Sequence, residues 1–311
     1  GRAFATDITN AARTSLLNIL NLKWDDDLIK IFGLEGIKLP DIKNNADDYG
    51  TTSLFGGEIK ISGMAGDQQA ALFGQACFDT GEVKSTYGTG CFLILNTGTK
   101  ILRSNNKLLS TVGYKIGEDV TYALEGSIFV AGSLIQWLRD KMKFFLTAPE
   151  TEKFAKSANK NSEVVIIPSF TGLGAPHWKP DLRGAIHGLS LETSKEDIIL
   201  AALEAICFQT KDLVTALKND GAKIKSIKID GGMATNNFFG QTLSDVLSMK
   251  VFKPRNIEST SLGAAYLAGI GSNYINLSEL KDVWKVDKLF EPKNSYEKKY
   301  LKYLDSLESL S

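Results

Sequence analysis

Asp67 is the carboxylate of this sequence whose position best suits chemistry on a substrate. It follows the residues GMAG at 63–66 and precedes a stretch rich in Ala and Gln, where a short predicted strand gives way to a predicted helix. Backbone N–H groups and the helix dipole favour an ionised carboxylate at such a helix start. Two roles are open: Asp67 caps the helix, or it accepts a proton from a substrate hydroxyl.

A glycine-rich turn, TYGTGC at 86–91, separates two β-like runs and predicts a hairpin. Gly88 and Gly90 permit positive φ and the close approach of a ligand to backbone N–H groups, and Thr89 adds a hydroxyl between them. An ordinary hairpin also needs glycine. The turn therefore indicates either a ligand-binding loop or a structural hairpin.

Two more glycine sites have the same ambiguity. A predicted strand ends in Asp230 and the pair Gly231 and Gly232 before a helix that begins near Asn236, an arrangement in which a nucleotide can lie against the turn. A tight strand-to-helix turn would have the same residues. Gly132, near the start of another predicted helix, either admits a flat ligand or allows close helix packing.

Several familiar catalytic motifs are absent from the sequence. There is no GxxxxGK[ST] phosphate loop, no GxGxxG after a strand, no HRD or DFG triplet, no GxSxG elbow and no HExxH. The two histidines, His177 and His187, lie in a loop-like region, and neither is assigned a catalytic role. The three cysteines form no CxxC pair, so a reduced, cytoplasmic protein is expected rather than a zinc or disulfide framework.

Length and composition describe a globular protein of about two domains. The 311 residues include 36 Lys plus Arg and 36 Asp plus Glu, so the formal net charge is +0 and nucleic-acid binding through bulk positive charge is not expected. No run reaches the roughly 18 apolar residues of a membrane span, so no membrane-spanning segment is expected. A homo-oligomeric state is left open.

Hydrophobic spacing predicts a mixed α/β protein. A helix is expected to begin at Thr9 or Asn10 and to continue through Leu16 and Leu17. The other predicted strands cover 59–61, 83–87, 91–96, 120–124, 164–167 and 224–229, and the other predicted helices cover 24–34, 67–77, 127–143, 196–217, 236–247, 261–270 and the tail from 295.

Taken together, the motifs resemble those of one family, in the same order along nearly the whole chain. The segments that carry the resemblance to glycerol kinases, which are FGGY carbohydrate kinases, are TDITNAARTSLLNI at 6–19, GMAGDQQAALFGQ at 63–75, STYGTGCFLILNTG at 85–98, YALEGSIFVAGSLIQWLRD at 122–140, FTGLGAPHWKPDLRGAIHGLS at 170–190 and DGGMATNNF at 230–238. The resemblance implies two lobes of an actin-like (ribonuclease H-like) fold, with ATP and substrate in the cleft between them.

The resemblance also implies roles for individual residues. By this likeness Asp67 is the catalytic base, Gln68 contacts the polyol and Phe92 packs on the glycerol carbons. Thr89 is expected near the ATP phosphates. The remaining nucleotide-pocket residues implied by the resemblance are Gly132, Gln136, Gly232 and Asn236. The cofactors implied are ATP and Mg²⁺, the metal bridging phosphate oxygens.

The resemblance places residues 1–74 in the trailing part of a substrate-side lobe that carries the catalytic Asp, and residues 75–311 in a carboxyl-terminal nucleotide-binding lobe. The family's first phosphate-binding turn, its metal-associated aspartate and the Arg, Glu and Tyr contacts to glycerol have no counterpart in these 311 residues. We therefore expect the chain to be an inactive carboxyl-terminal portion of an ATP-dependent glycerol kinase. Two alternatives remain: a kinase of another polyol or a pentulose, and a non-catalytic nucleotide-binding module.

Overall fold

The computed structural model describes residues 3–310 of the chain. The elements follow one another as β1 (Ala5–Asp7), α1 (Ile8–Ala11), β2 (Leu17–Asn18), β3 (Lys23–Trp24), α2 (Asp26–Ile31), β4 (Asp41–Lys43), β5 (Thr51–Thr52), β6 (Ile59–Lys60), α3 (Asp67–Gly74), β7 (Glu82–Tyr87), β8 (Cys91–Gly98), β9 (Leu109–Ile116), β10 (Asp119–Ile128), α4 (Gly132–Asp140), α5 (Glu150–Ser157), β11 (Val165–Ile167), β12 (Ala185–His187), α6 (Lys195–Asn219), β13 (Ser226–Asp230), a 3₁₀ turn (Gly232–Thr235), α7 (Asn237–Leu247), β14 (Val251–Pro254), α8 (Ser259–Gly271), α9 (Leu277–Val283), β15 (Val286–Phe290) and α10 (Glu297–Glu308).

A seven-stranded mixed sheet forms the centre of the structure, in the order β15-β14-β13-β7-β8-β10-β9. Strands β7, β13 and β14 are parallel, and the strands on either side of them are antiparallel. Because β7 and β13 are parallel neighbours, the turns that follow them lie at the same edge of the sheet. The predicted hairpin is confirmed: β7 and β8 pair, with Tyr87 opposite Cys91.

Helices cover both faces of this sheet. On one face the long helix α6 supplies Leu203 and Phe208 to the main core, together with residues of α4, α7 and α10. On the other face Leu72 and Phe73 of α3 pack with Ile94 of β8 and Leu267 of α8. None of the helices within residues 3–310 combines the length and the apolar character that a membrane span requires.

Helices α3 and α8 are in backbone contact, and glycine makes this possible. A Cβ atom added to Gly263 would lie 1.8 Å from the carbonyl oxygen of Ala70, and one added to Gly74 would lie 2.0 Å from the carbonyl oxygen of Ser259. Both distances are far inside van der Waals contact. The two helices therefore cross where neither can carry a side chain.

The residues before α3 form three small two-stranded sheets beside the main sheet. Ile8 and Leu17 are buried with Val112 of β9 and Tyr122 of β10 in a separate small core. An ion pair at 2.6 Å between Arg13 and the buried Glu125 of β10 joins the same two regions.

The long helix predicted from Thr9 or Asn10 is wrong. The helix is only the four residues of α1, and its cap is Asp7, whose carboxylate accepts hydrogen bonds from the backbone N–H groups of Thr9 and Asn10. Ser15 has a φ of 63°, so the chain leaves the helical conformation there. Leu17 consequently belongs to strand β2 instead of a helix face.

Most of the predicted elements other than this helix are confirmed, with shifted ends. The helix predicted over 127–143 begins only at Gly132, because Ser127 and Ile128 still pair with β8. The hydrophobic pattern does not predict the short strands β1 to β5, nor β9, α5, β12, β14, α9 and β15. Of these, α5 matters most, since it forms one wall of the cavity described next.

Candidate active site

A cavity of about 360 Å³ opens where the turns after β7 and β13 meet the first residues of α4 and the N-terminal part of α5. The five residues proposed from sequence for a nucleotide pocket all line it: Thr89, Gly132, Gln136, Gly232 and Asn236. They come from three separate segments of the chain, and the sheet topology brings them together.

Backbone hydrogen bonds tie the turn after β7 to the start of α4. The amide of Gly132 donates to the carbonyl oxygen of Gly88 at 2.9 Å, and the amides of Ala131 and Ser133 both donate to the carbonyl of Thr89 at 3.0 Å. A Cβ atom at Gly132 would lie 2.4 Å from the Gly88 carbonyl oxygen. Gly132 therefore packs closely against the backbone of Gly88, as the structural interpretation of this glycine predicts. The same packing forms part of the cavity wall.

The two glycines after β13 have different surroundings. Gly231 has a φ of 83°, and a Cβ there would lie 2.5 Å from the carbonyl oxygen of Tyr87, so packing against β7 requires glycine. Gly232 lacks such a neighbour, since a Cβ there would meet nothing within 4 Å. Gly232 lines the cavity, and its missing side chain leaves room for a ligand.

Asn236 joins the cavity's two walls. It is the N-cap of α7, where its side-chain oxygen accepts the backbone N–H of Phe239 at 3.0 Å. Its side-chain nitrogen donates to the hydroxyl of Thr151 on α5 at 3.1 Å. A second link runs from the backbone N–H of Asn237 to Glu152 at 3.2 Å.

Thr151 and Glu152 of α5 are cavity residues that the sequence interpretation missed. The hydrogen bond from Lys156 lowers the pKa of the Glu152 carboxyl, so this wall carries an ionised carboxylate in an ion pair with Lys156 at 2.6 Å. A signal for α5 existed: Pro149 is followed by Glu150 and Glu152, a common pattern at a helix start.

Two buried polar atoms lie close to the turns and lack a hydrogen-bond partner within residues 3–310: Thr86 Oγ1 and Asp230 Oδ1. The two residues are paired in register across β7 and β13. Buried polar groups of this kind are ordinarily satisfied by water or ligand. Neither residue lines the cavity, and the other carboxylate oxygen of Asp230 accepts a hydrogen bond from Gln75 at 2.8 Å.

The three residues proposed for the substrate end lie on α3 and β8. Asp67 is the first residue of α3 and is exposed, and the N-cap is Gly66, which has no side chain. The Asp67 carboxylate accepts the backbone N–H of Gln68 at 2.7 Å and faces its side-chain nitrogen at 3.3 Å. Phe92, at the start of β8, is 36% exposed, a large fraction for an aromatic ring on a central strand.

The part of the chain between residues 3 and 310 contains no group of three or more His, Cys, Asp or Glu side chains that could hold a metal ion. Magnesium in phosphate-transferring sites is commonly held by one or two carboxylates and by substrate phosphates. Such a metal fits the cavity only as a companion of bound phosphate, and no side chain of this chain is assigned to it.

The chain is similar in sequence to glycerol kinases. It is 53% identical over 295 residues to glycerol kinase from Marinomonas sp. (strain MWYL1) and 48% identical over 295 residues to glycerol kinase from Coxiella burnetii (strain Dugway 5J108-111). These alignments cover 94% of this chain but only 60% and 59% of the two relatives. The chain thus spans about three-fifths of the length of the relatives it matches.

Solved structures agree with the fold. Plasmodium falciparum glycerol kinase with ADP superimposes with a TM-score of 0.91 at 38% identity, covering 98% of this chain and 63% of that one. Ligand-bound xylulose kinase from Lactobacillus acidophilus superimposes with a TM-score of 0.86 at 23% identity, covering 98% and 64%. With the mixed seven-stranded sheet, these matches show an actin-like, ribonuclease H-like ATPase fold.

Two family profiles match different parts of the sequence. The N-terminal domain of the FGGY family of carbohydrate kinases matches residues 1–74, and the C-terminal domain of that family matches residues 83–272. The chain therefore belongs to the FGGY family of carbohydrate kinases.

Proposed function

We propose that the protein carrying this chain transfers the γ-phosphoryl group of ATP to glycerol, giving glycerol 3-phosphate and ADP. The observation that carries the proposal is the convergence of Thr89, Gly132, Gln136, Gly232 and Asn236 on one cavity, in a chain 53% identical to a glycerol kinase. The substrate end is Asp67 and Gln68 at the exposed start of α3, with Phe92 on β8.

In this proposal the nucleotide occupies the cavity between α4, α5 and the turn after β13. The space at Gly232 accommodates the nucleoside, and Asn236 holds α5 against the turn. Thr89 and the backbone N–H groups of its turn lie towards the phosphates, because glycine-rich turns present N–H groups to anions. Magnesium, when bound with ATP, neutralises charge on the phosphate oxygens.

Asp67 is the proposed general base. The attacking hydroxyl oxygen forms a bond to the γ-phosphorus while the bond from that phosphorus to the ADP oxygen breaks, and the hydroxyl proton passes to the Asp67 carboxylate. The transition state of such transfers is loose, so positioning and charge stabilisation supply most of the catalysis. Gln68 holds a substrate hydroxyl by hydrogen bonding, and Phe92 packs on the carbon chain.

We further propose that two parts of the sequence have different roles. Residues 1–74 belong to a substrate-side lobe with the catalytic Asp, and residues 75–311 form the nucleotide-binding lobe. The 311 residues alone are expected to bind nucleotide without turning glycerol over, since catalysis requires the substrate clamp and both phosphate-binding turns within reach of one another.

A reduced, cytoplasmic setting belongs to the same proposal. The three cysteines Cys77, Cys91 and Cys207 are free and buried. Burial raises the pKa of the Cys77 thiol, and likewise of the Cys91 thiol, to about 12. Both are therefore protonated, unreactive core residues at neutral pH.

An acceptor panel tests the substrate. ADP release by the gene product that carries this chain is measured with ATP and Mg²⁺ and, in turn, glycerol, D-xylulose and gluconate. Glycerol should give the largest kcat/KM. A preference for the pentulose or the sugar acid would assign another substrate to the family site, and ADP binding without any acceptor-dependent release would indicate a non-catalytic nucleotide-binding protein.

A further inference from the structure

Lys84 is a fully buried lysine beneath the proposed substrate end. It lies on β7 with a relative exposure of 0%, opposite Ile94 of β8 and Lys228 of β13. Its neighbour Ile94 belongs to the core under α3, so the Lys84 side chain extends from the sheet towards that helix. A lysine without exposure requires polar partners, because burying an unpaired ammonium is very costly.

The partners of Lys84 are residues of the substrate end. Its Nζ donates to the side-chain oxygen of Gln68 and, at 3.3 Å, to the carbonyl oxygen of Phe92. Asp67 is one of the carboxylates whose charge acts on the Lys84 ammonium. Lys84 therefore forms hydrogen bonds with Gln68 and Phe92 and interacts with Asp67 through charge.

The contact fixes which way the Gln68 amide points. An ammonium group has three donors and no acceptor, so the Gln68 atom that meets Lys84 is the carbonyl oxygen Oε1. The amide nitrogen then points away from Lys84 and lies 3.3 Å from Asp67 Oδ2. A rotated amide would place N–H groups against the ammonium and lose this hydrogen bond.

We propose that Lys84 is a positioning residue that holds Gln68 with its N–H₂ group directed at the substrate, so that position 68 donates to a polyol hydroxyl oxygen beside the base. The proposal rests on the proposed function. Without Lys84 the amide is free to rotate and to present its oxygen, and a hydroxyl oxygen of the substrate then loses its donor.

The surroundings of Lys84 are otherwise acidic. Burial lowers the pKa of the Lys84 ammonium, whereas the charges of Asp230, Glu125 and Asp67 act in the opposite direction. Glu125 is itself held by two hydrogen bonds from Arg13, at 2.6 and 3.1 Å. The acidic neighbours help to keep an ammonium in this position while its hydrogen bonds orient Gln68.

Lys228 provides a matched control. It pairs with Lys84 in register, is only 6% exposed, and donates to the carbonyl oxygens of Gln75 and Ala76 at 3.0 Å each. Its ion pair is with Glu82 at 3.0 Å. These partners lie at the far end of α3 from Asp67, so Lys228→Met removes a buried lysine of the same sheet without touching the substrate end.

The test is a double-mutant cycle in the gene product that carries this chain. Lys84→Met should raise the glycerol KM about tenfold, as expected for loss of a hydrogen bond to a charged group, with the ATP KM unchanged. The glycerol KM of the double variant Lys84→Met with Gln68→Ala should be no higher than that of Gln68→Ala alone. Lys84→Arg, which keeps a charged donor, should recover part of the loss, and Lys228→Met should lower the melting temperature without altering the glycerol KM.

The proposal would be overturned if the effects of Lys84→Met and Gln68→Ala on the glycerol KM were additive in the double variant. It would also be overturned if Lys228→Met raised the glycerol KM as much as Lys84→Met does. A second readout is independent of turnover: the side-chain ¹⁵N–¹H₂ signals of Gln68 in the 311-residue chain. They should shift and exchange faster with solvent in Lys84→Met but not in Lys228→Met. If glycerol is no substrate, the proposed function fails, whereas an unchanged Gln68 signal in Lys84→Met refutes the positioning contact.

Discussion

The side-chain nitrogen of Asn236 lies 3.1 Å from the hydroxyl oxygen of Thr151 and joins the turn after β13 to helix α5. The same hydroxyl donates to the carbonyl oxygen of Ala148 at 2.6 Å. Thr151 thus fixes both the cavity wall and the side chain of Asn236. The contact joins two cavity-lining residues that are 85 positions apart in sequence.

Thr151→Val removes this hydroxyl while keeping the shape of the side chain. We expect ADP affinity to fall about fivefold, since a lost hydrogen bond is worth about 1 kcal/mol. Isothermal titration calorimetry measures the effect. Ser157→Ala, which removes an exposed hydroxyl from the last turn of the same helix, should leave the affinity unchanged, and an equal loss there would point to damage of α5 as a whole.

Gly232→Val should weaken ADP binding about tenfold, a loss of about 1.4 kcal/mol in binding free energy, with little loss of stability. A side chain at Gly232 meets no protein atom within 4 Å at its Cβ position, so it enters the cavity without a clash in the fold. Gly57→Val is the control, because Gly57 also has nothing within 4 Å and does not line the cavity. Unchanged ADP affinity in a folded Gly232→Val variant would make this turn purely structural.

Gly263→Ala tests the crossing of α3 and α8. The added methyl would lie 1.8 Å from the Ala70 carbonyl oxygen, so the helices must separate. Overpacking of this kind lowers the free energy of unfolding by about 3 kcal/mol. Gly269→Ala on the same helix would meet only the side chain of Ile275, at 2.8 Å, and should cost much less in urea unfolding. Equal losses would mean that the crossing tolerates a side chain.

Glu204 predicts a pH dependence of stability. Burial raises the pKa of its carboxyl from 4.5 to about 6, although Lys299 lies 2.6 Å away and acts in the opposite sense. Because the folded-state pKa is the higher one, the folded protein binds the proton more tightly. The stabilisation that protonated Glu204 contributes is full below about pH 4.5 and is lost as the pH rises through about 6.

The loss amounts to about 2 kcal/mol over that interval. Denaturant unfolding of the wild type and of Glu204→Gln between about pH 4.5 and 7.5 measures it, since the amide introduced by the substitution does not titrate. The wild type should lose stability relative to the variant as the pH rises. Parallel curves for the two proteins would show that Glu204 titrates alike in the folded and unfolded chain.

The turns that form the cavity were predictable because glycine marks them. TYGTGC at 86–91 closes one predicted strand and DGGMATNN at 230–237 follows another, and both occur as strand and turn in the structure. Residue propensities did not predict that the two turns lie next to each other. Their proximity follows from the parallel pairing of β7 and β13. The resemblance to a family supplied that information instead.

Three features were not predictable from the hydrophobic pattern. Helix α5 is mostly polar, and its Thr151 and Ala155 are buried only because α6 and α7 pack on them. Strand β9 carries Gly113 in its middle, a residue that usually weakens a strand. Lys84 is a charged residue at a fully buried position, contrary to the ordinary distribution of lysine.

Glycerol-dependent ADP release by the gene product that carries this chain, compared with its Asp67→Asn variant, tests the proposed reaction and the role of Asp67 most directly. Asp119→Asn, an exposed change at the first residue of β10, is the control. We predict turnover for the wild type and the control, and a rate lower by about 10² to 10⁴ for Asp67→Asn with ADP affinity retained. Near-wild-type turnover by Asp67→Asn would contradict that role.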